Sequence, residues 1–252
     1  MTRGGMDLGS RQVKLVLLES GEISLKKSFD TAAFYREYGN IKDGELSVDT
    51  ARLGLPDCGR STGLTVTGYG RNAVKVAGAE VISEIKAHAT GAAWQTGLKD
   101  FVLLDIGGQD TKVAKIKGGR MEDFLMNDKC AASSGRYIEN MCGVLQMPLD
   151  EISRHFENPA HLSATCAIFG ESEIIQKMTE GAPPGEIAAG VNLSVVKRVL
   201  PMLARFPDGP IVFVGGVARN AAVTYFIKDR TGRELITVPE PVYNGAIGCA
   251  YL

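Results

Sequence analysis

Short apolar runs separated by glycine turns open the chain, and the same pattern returns near residue 101. In each region, three runs of strand length are bounded by turn residues, which predicts a three-stranded antiparallel meander. Longer stretches with apolar residues at helical spacing follow each meander. The pattern therefore predicts two α/β domains of similar plan, residues 1–95 and 96–252, with the last helix able to pack back on the first domain.

The same periodicity predicts the elements outside the meanders. Residues 2–5 contain few apolar side chains, which predicts a frayed first strand. Pro201 supplies no amide donor, so we expect it to kink or restart the long helix that contains it. Further strands are expected at 64–67, 210–214 and 235–238, and helices at 32–38, 48–53, 72–88, 131–145, 167–179, 186–206, 218–229 and near the end.

The two meanders are copies of one another in a fixed register. Four pairs of residues are each separated by 98 positions without a gap: Asp7 and Asp105, Gly9 and Gly107, Lys14 and Lys112, and Gly21 and Gly119. A constant offset across two turns and two strands is not expected by chance, and such self-similarity indicates an internal duplication. The two domains are therefore expected to carry equivalent groups at equivalent places.

Composition excludes several classes of function. Of the 252 residues, 44% are apolar and 23% are charged, which is typical of a globular protein and excludes extended disorder. The net charge is -1 without a basic cluster, so nucleic acid is not an expected partner. No apolar stretch approaches the ~20 residues of a membrane span, and the five dispersed cysteines do not form a disulfide framework. A cytoplasmic protein with reduced thiols and no membrane partner is expected.

Asp7 and Asp105 each end the first strand of a meander, directly before a glycine turn. Such a turn exposes backbone N–H groups with no Cβ in the way, which suits a phosphate. Carboxylates beside phosphates need a cation between them, which Mg²⁺ can provide, and Lys14 can add a positive charge. A single turn of this kind is usually an ordinary hairpin, but two in repeat and a third at 215–220 favour a polyphosphate with its nucleoside. Neither a P-loop nor a Rossmann dinucleotide motif occurs in the sequence.

Three segments resemble the motifs of actin-like ATPases, the superfamily that includes sugar kinases, actin and heat-shock chaperones. Residues 5–10 resemble its first phosphate motif, residues 105–110 its second, and residues 215–220 its adenosine motif. The resemblance implies two actin-like (ribonuclease H-like) α/β domains with an interdomain nucleotide cleft that binds ATP or ADP with Mg²⁺. The residues expected to bind the nucleotide are Gly9, Ser10, Lys14, Gly107, Gly108, Gly215, Gly216 and Asn220. The catalytic candidates, each able to orient the attacking water, are Asp7, Asp105 and Gln109.

Two cysteines, Cys130 and Cys166, lie at the starts of predicted helices. Free N–H groups and the helix dipole at such a position favour a thiolate, so both are candidate metal ligands. A structural zinc ion or a [4Fe–4S] cluster needs four ligands, and two from each of two chains would complete the set on a dimer axis. On spacing alone, burial of both as small apolar residues is the favoured alternative.

The wider sequence reverses that preference. Residues 127–132 and 165–173, around the two cysteines, resemble ATP-dependent activators of 2-hydroxyacyl-CoA dehydratases and their relatives in benzoyl-CoA reductases, as do residues 68–72 and 243–248. The resemblance implies a homodimer with one [4Fe–4S] cluster held by Cys130 and Cys166 of each subunit. It also implies ferredoxin or flavodoxin as electron donor and an iron–sulfur dehydratase or reductase as acceptor. The leading hypothesis is therefore an ATP-hydrolysing iron–sulfur reductase, and its rivals are a small-molecule kinase of the same superfamily and a nucleotide-sensing scaffold.

Overall fold

The computed structural model describes residues 2–53, 63–127, 134–163 and 167–252, the side chains of residues 167 and 168 excepted. The chain divides into two compact units, Met1–Lys99 with Val242–Leu252, and Asp100–Pro241. The predicted boundary after residue 95 lies inside the helix Glu84–Thr96, and the helix Asn244–Tyr251 belongs to the first unit. None of the described helices is long and apolar enough to cross a membrane.

Both units contain strands and helices. The strands are β1 Thr2–Leu8, β2 Gln12–Glu19, β3 Glu22–Asp30, β4 Gly39–Lys42, β5 Glu45–Val48, β6 Leu64–Thr67, β7 Val74–Val76, β8 Ala79–Val81, β9 Phe101–Ile106, β10 Thr111–Lys117, β11 Arg120–Asn127, β12 Ile211–Val214 and β13 Leu235–Thr237. The helices are α1 Thr31–Tyr38, α2 Glu84–Thr96, α3 Gly135–Leu145, α4 Leu149–Ile152, α5 Ala167–Thr179, α6 Pro184–Leu203, α7 Ala221–Thr231 and α8 Asn244–Tyr251.

Each unit is built on a five-stranded sheet, and the two sheets have the same topology. The strand order is β3-β2-β1-β6-β8 in the first unit and β11-β10-β9-β12-β13 in the second. In both, three antiparallel strands form a meander, and two parallel strands extend the sheet from the first strand of that meander. The two predicted meanders are therefore confirmed.

The central strand of the first sheet is β1, although five of its seven residues are polar or glycine. It pairs with β2 along its whole length and with β6 over residues 4–7. Gly5 is buried, and a Cβ at this position would overlap the backbone of Ala246 in α8. The predicted fraying of residues 2–5 is wrong because a close helix–strand contact overrides the low β-propensity of glycine.

A small sheet of β4, β5 and β7 occupies the segment between β3 and α2. The helices predicted at 48–53 and 72–88 are wrong, since β5 ends at Val48 and two short strands precede α2. Val74 and Val76 alternate with a lysine, and Gly78 adopts a φ of +72°, so a tight turn between strands replaces the expected helix.

The core of the second unit lies between its sheet and the helices α3, α6 and α7. The longest helix, α6, is buried along much of its length and continues through Pro201 to end at Leu203, so the helix does not restart. The predicted start of α3 at residue 131 lies outside the described residues. The helix predicted from 218 begins instead at Ala221, after the 3-10 turn Gly216–Arg219.

Candidate functional site

An aspartate and a lysine face each other beside the first turn of the first meander. Asp7 on β1 is the antiparallel partner of Lys14 on β2, and the lysine Nζ lies 3.5 Å from Asp7 Oδ2. The other carboxylate oxygen, Oδ1, is buried and has no hydrogen-bond partner among the described residues. Because an unpaired buried carboxylate oxygen is costly, this atom is suited to a cation or a bound water.

The backbone of Gly68 lies against this carboxylate. β6 runs parallel to β1 with Thr67 opposite Asp7, and Gly68 follows with φ +98° and ψ -179°, a conformation essentially restricted to glycine. A Cβ at Gly68 would lie 2.5 Å from Asp7 Oδ1 and 2.7 Å from the backbone of Leu8. Glycine therefore lets the two strand ends approach, and the 3-10 turn Tyr69–Asn72 starts from it.

The second unit repeats the ion pair and adds a carboxylate. Asp105 on β9 is the antiparallel partner of Lys112 on β10, with 3.8 Å between Oδ2 and Nζ. Lys112 also contacts Asp110 Oδ2 at 2.6 Å, and its side chain is only 4% exposed. The residue 98 positions before Asp110 is Gln12. Among the described residues, Lys14 is thus paired with one carboxylate and Lys112 with two. The charge of Lys14 is therefore less fully neutralised by carboxylates, which makes it the better partner for a phosphate.

Gly215 takes the place of Gly68 in the second unit. β12 runs parallel to β9 with Val214 opposite Asp105, and Gly215 follows with φ +90° and ψ 176°. A Cβ at Gly215 would lie 2.5 Å from Asp105 Oδ1 and would overlap the carbonyl oxygen of Ile106. The structural repeat therefore includes a strand, a glycine and a 3-10 turn beyond the meander. This equivalence is hidden in the sequence because the glycines are 147 positions apart and the aspartates 98.

The glycine turn after β9 is bound to the start of α3. The carbonyl oxygens of Gly107 and Gly108 accept hydrogen bonds from the amides of Gly135 and Arg136, each at 2.9 Å. The Gly108 oxygen also accepts a hydrogen bond from the Ser134 hydroxyl at 3.0 Å. The position of this turn and the position of α3 are therefore fixed by the same three hydrogen bonds.

The third glycine turn contains the predicted nucleotide contacts Gly216 and Asn220. Gly216 is exposed, and a Cβ there would meet no atom within 4 Å. The Asn220 side chain accepts from the amide of Val223 at 2.9 Å, which caps α7, and donates to Asn192 Oδ1 at 2.9 Å. Both polar ends of Asn220 therefore have structural partners, and its contact with a nucleotide stays a prediction.

Groups from α8 and α1 that carry no charge at neutral pH lie near Asp7. A Cβ at Gly245 would lie 3.3 Å from Asp7 Oδ2, so the helix backbone passes directly beside the carboxylate. Burial, together with the negative charge of Asp7, raises the pKa of the Cys249 thiol well above its usual range. Burial and the same charge also raise the pKa of the Tyr35 hydroxyl. These groups stay neutral at physiological pH, which leaves Lys14 as the cation in contact with Asp7 among the described residues.

Comparison with known proteins relates these features to a family. The model of the BadF/BadG/BcrA/BcrD ATPase family matches residues 5–252. The chain belongs to this ATPase family. It is 33% identical over 252 residues to the (R)-2-hydroxyglutaryl-CoA dehydratase activating ATPase of Acidaminococcus fermentans, a match that covers 98% of this chain and 94% of the relative. The predicted family is confirmed.

Solved structures extend the comparison of this ATPase family member to the fold. The activator of the 2-hydroxyisocaproyl-CoA dehydratase from Clostridium difficile, with bound ADPNP, superposes with a TM-score of 0.85 at 32% identity, covering 99% of this chain and 93% of that one. MreB5 of Spiroplasma citri bound to ADP superposes with a TM-score of 0.59 at 12% identity, covering 98% and 94%, which shows likeness of fold alone. The predicted actin-like fold class is confirmed.

In the first unit of this family member, the predicted residues Asp7, Gly9, Ser10 and Lys14 lie together at the end of β1. A Cβ at Gly9 would lie 3.2 Å from Lys14 Nζ, so the turn backbone and the lysine are neighbours. Gly68 completes this group, although sequence reasoning singled it out only as part of a motif. Its signal was a glycine directly after an apolar strand, as at Gly215.

In the second unit, Asp105, Gly107, Gly108 and Gly215 lie together, and Gln109 is exposed at the same turn. Sequence reasoning missed Asp110 and Ser134, because nothing in the order of residues shows that one contacts Lys112 and the other Gly108. The predicted metal ligands Cys130 and Cys166 lie outside the described residues. Their assignment, like the nucleotide contacts and catalytic roles of the other residues, stays a prediction.

Proposed function

We propose that this protein is an ATP-hydrolysing iron–sulfur reductase that delivers a low-potential electron to an iron–sulfur acceptor such as a 2-hydroxyacyl-CoA dehydratase. The observation that carries the proposal is a match along nearly the whole chain to a named dehydratase-activating ATPase. The coincidence of the family match with the duplicated aspartate–glycine sites supports ATP as the nucleotide.

The described residues fit a nucleotide with Mg²⁺. Asp7 offers a buried carboxylate oxygen that has no hydrogen-bond partner among the described residues, which is the kind of ligand a hard cation takes. Asp105 is the equivalent group of the second unit. Gly9, Ser10, Gly107 and Gly108 would bind phosphates through the backbone, and Lys14 would balance their charge.

The nucleoside would lie against the third turn. Gly216 carries no side chain, and the space where its Cβ would be is open, so a flat ring system can approach the backbone. Either Gln109, which is exposed, or one of the buried carboxylates Asp7 and Asp105 would orient the water that attacks the terminal phosphate.

The cysteines would supply the redox centre. Cys130 and Cys166 of each of two subunits would hold one [4Fe–4S] cluster, which when bound accepts one electron from ferredoxin or flavodoxin and passes it on. Helix α5 begins at Ala167, the residue after Cys166 in the sequence, and a helix N-terminus favours a nearby thiolate.

The free energy needed to lower the potential of the electron is larger than one altered contact can supply. Lowering the potential of a one-electron carrier by ~300 mV costs about 7 kcal/mol, whereas one altered hydrogen bond supplies about 1 kcal/mol. A nucleotide-driven rearrangement of several elements around the cluster meets this requirement.

The test is purification under anoxia followed by iron, sulfide and ATPase measurements. We expect about four irons per dimer and nucleotide-stimulated electron delivery to a dehydratase, both lost in Cys130→Ala and Cys166→Ala. Cys142→Ala is the matched control, because Cys142 is a half-buried cysteine inside α3 and is expected to keep the iron. A colourless, metal-free protein that phosphorylates a small molecule would establish the kinase instead. Nucleotide binding without iron or phosphotransfer would indicate the scaffold.

A further inference from the structure

Ser134 has an unusual role for a residue at the start of a helix. It occupies the N-cap position of α3 and is fully buried, yet its hydroxyl makes no capping hydrogen bond. A serine at this position normally accepts from an amide of the first helical turn. Here the hydroxyl donates to the carbonyl of Gly108 at 3.0 Å, in the second glycine turn.

The geometry of the peptide group links this contact to phosphate binding. The carbonyls of Gly107 and Gly108 are held by the amides of Gly135 and Arg136, and the latter carbonyl also by Ser134. No cis peptide bond occurs among the described residues, so the C=O and N–H of each peptide group point in opposite directions within one rigid plane. The N–H groups of these two peptide planes therefore face away from α3. That is the side on which the phosphate is proposed to bind.

A phosphate that binds these N–H groups and shifts them would tilt the two peptide planes. The carbonyl oxygens of the same planes are hydrogen-bonded to the start of α3. A tilt lengthens or bends the hydrogen bonds to the helix, and hydrogen bonds weaken steeply with poor geometry. The start of α3 consequently has to follow the turn or lose its contacts.

Helix α3 contacts α5 through the side chain of Tyr137. Tyr137, in the first turn of α3, is 1% exposed, and its ring packs against Gly170 of α5, where an added Cβ would lie 3.3 Å from the ring. The guanidinium of Arg198 lies over the same ring at 5.3 Å, which supports it from the side of α6. Because packed side chains have few alternative arrangements, α5 follows a movement of Tyr137.

We infer that Ser134 is a positioning residue that couples the nucleotide state of the second glycine turn to helices α3 and α5. The inference rests on the proposed function for its meaning, since these two helices directly follow the segments that contain Cys130 and Cys166. The coupling itself requires no metal and can be measured without one.

The experiment is hydrogen–deuterium exchange of the full chain, purified under anoxia, without nucleotide, with MgADP and with a non-hydrolysable ATP analogue. In the wild type, peptides from α3 and α5 are expected to differ in exchange between the ADP and ATP-analogue states. Ser134→Ala should at least halve this difference while binding both nucleotides within about threefold of the wild type, because the two backbone hydrogen bonds remain. Ser134→Thr, which keeps the hydroxyl, should restore it.

Ser194→Ala is the matched control. Ser194 is also a buried serine of the second unit whose hydroxyl donates to a backbone carbonyl, that of Val191 at 2.8 Å, but it lies within α6. It should lose a similar hydrogen bond and keep the full exchange difference. A Ser134→Ala protein with the wild-type difference, or a wild type with no difference in α3 and α5, would overturn the inference.

Failure of the proposed function gives a different result. A wild-type protein without iron or electron delivery, but with an exchange difference that Ser134→Ala reduces, would reject the reductase and retain the coupling. A protein with iron and electron delivery whose exchange is insensitive to Ser134→Ala would retain the reductase and reject the coupling.

Discussion

Replacing Gly215 by alanine tests whether the close approach of β12 to β9 is required. The backbone of Gly215 has φ +90° and ψ 176°, a region that costs a residue with a Cβ roughly 1–3 kcal/mol. The new Cβ would also lie 2.5 Å from Asp105 Oδ1 and overlap the carbonyl of Ile106, so the two strand ends must separate. We expect a total loss of about 3 kcal/mol or more in the free energy of unfolding.

Thermal unfolding followed by circular dichroism measures this loss. At about 2–4 °C per kcal/mol for chains of this size, the unfolding temperature should fall by about 6–12 °C. The adjacent Gly216 provides the control, because its φ lies outside the left-handed region and an added Cβ would meet no atom within 4 Å. Gly216→Ala should change the unfolding temperature by less than about 2 °C. It should nevertheless weaken ATP binding if the third turn contacts the nucleoside. Equal unfolding temperatures for Gly215→Ala and Gly216→Ala would refute the reasoning.

Three further substitutions test other contacts. Asp110→Asn removes the carboxylate charge that pairs with the buried Lys112 at 2.6 Å, and it should cost about 1–3 kcal/mol in the free energy of unfolding by urea. Glu122→Gln, at the exposed pair with Lys115, should barely move the urea midpoint, and equal effects would contradict the assignment. Tyr137→Phe removes a buried hydroxyl that has no hydrogen-bond partner among the described residues, so stability should stay the same or rise by up to about 1 kcal/mol, and a clear fall in unfolding temperature would reveal a partner. Cys249 should resist iodoacetamide at pH 8 until the chain unfolds, as read by mass spectrometry, because its folded pKa is raised. Because the thiol of Cys249 ionises more readily in the unfolded chain, its contribution to stability is complete below pH 9 and is lost as the pH rises further. Cys249→Ala should therefore flatten the alkaline loss of stability, and an unchanged pH profile would contradict this.

The repeat allowed much of the fold to be predicted from the order of residues. Asp7 and Lys14, like Asp105 and Lys112, lie on strands joined by a short turn, so their spacing is fixed by geometry and survives in the sequence. The glycines after β6 and β12 lie beyond connections of different length, and their equivalence becomes visible only in the sheets.

Predictions failed where tertiary contacts decide local structure. Gly5 lies in a buried central strand because α8 packs on it, which no local propensity records. The segment around Val74 forms strands because it pairs with β5, a partner distant in the sequence. Ser134 illustrates the same limit for the site, since its role depends on the partner its hydroxyl finds across the fold.

The contact between Gly5 and α8 also imposes an order on biosynthesis. The helix that covers β1 is translated about 240 positions after it, and after every residue of the second unit. At 5–20 residues per second, roughly 12–50 s pass between the synthesis of β1 and the synthesis of α8. The second unit is contiguous in the chain and can finish folding during that interval, so the half translated first is completed last.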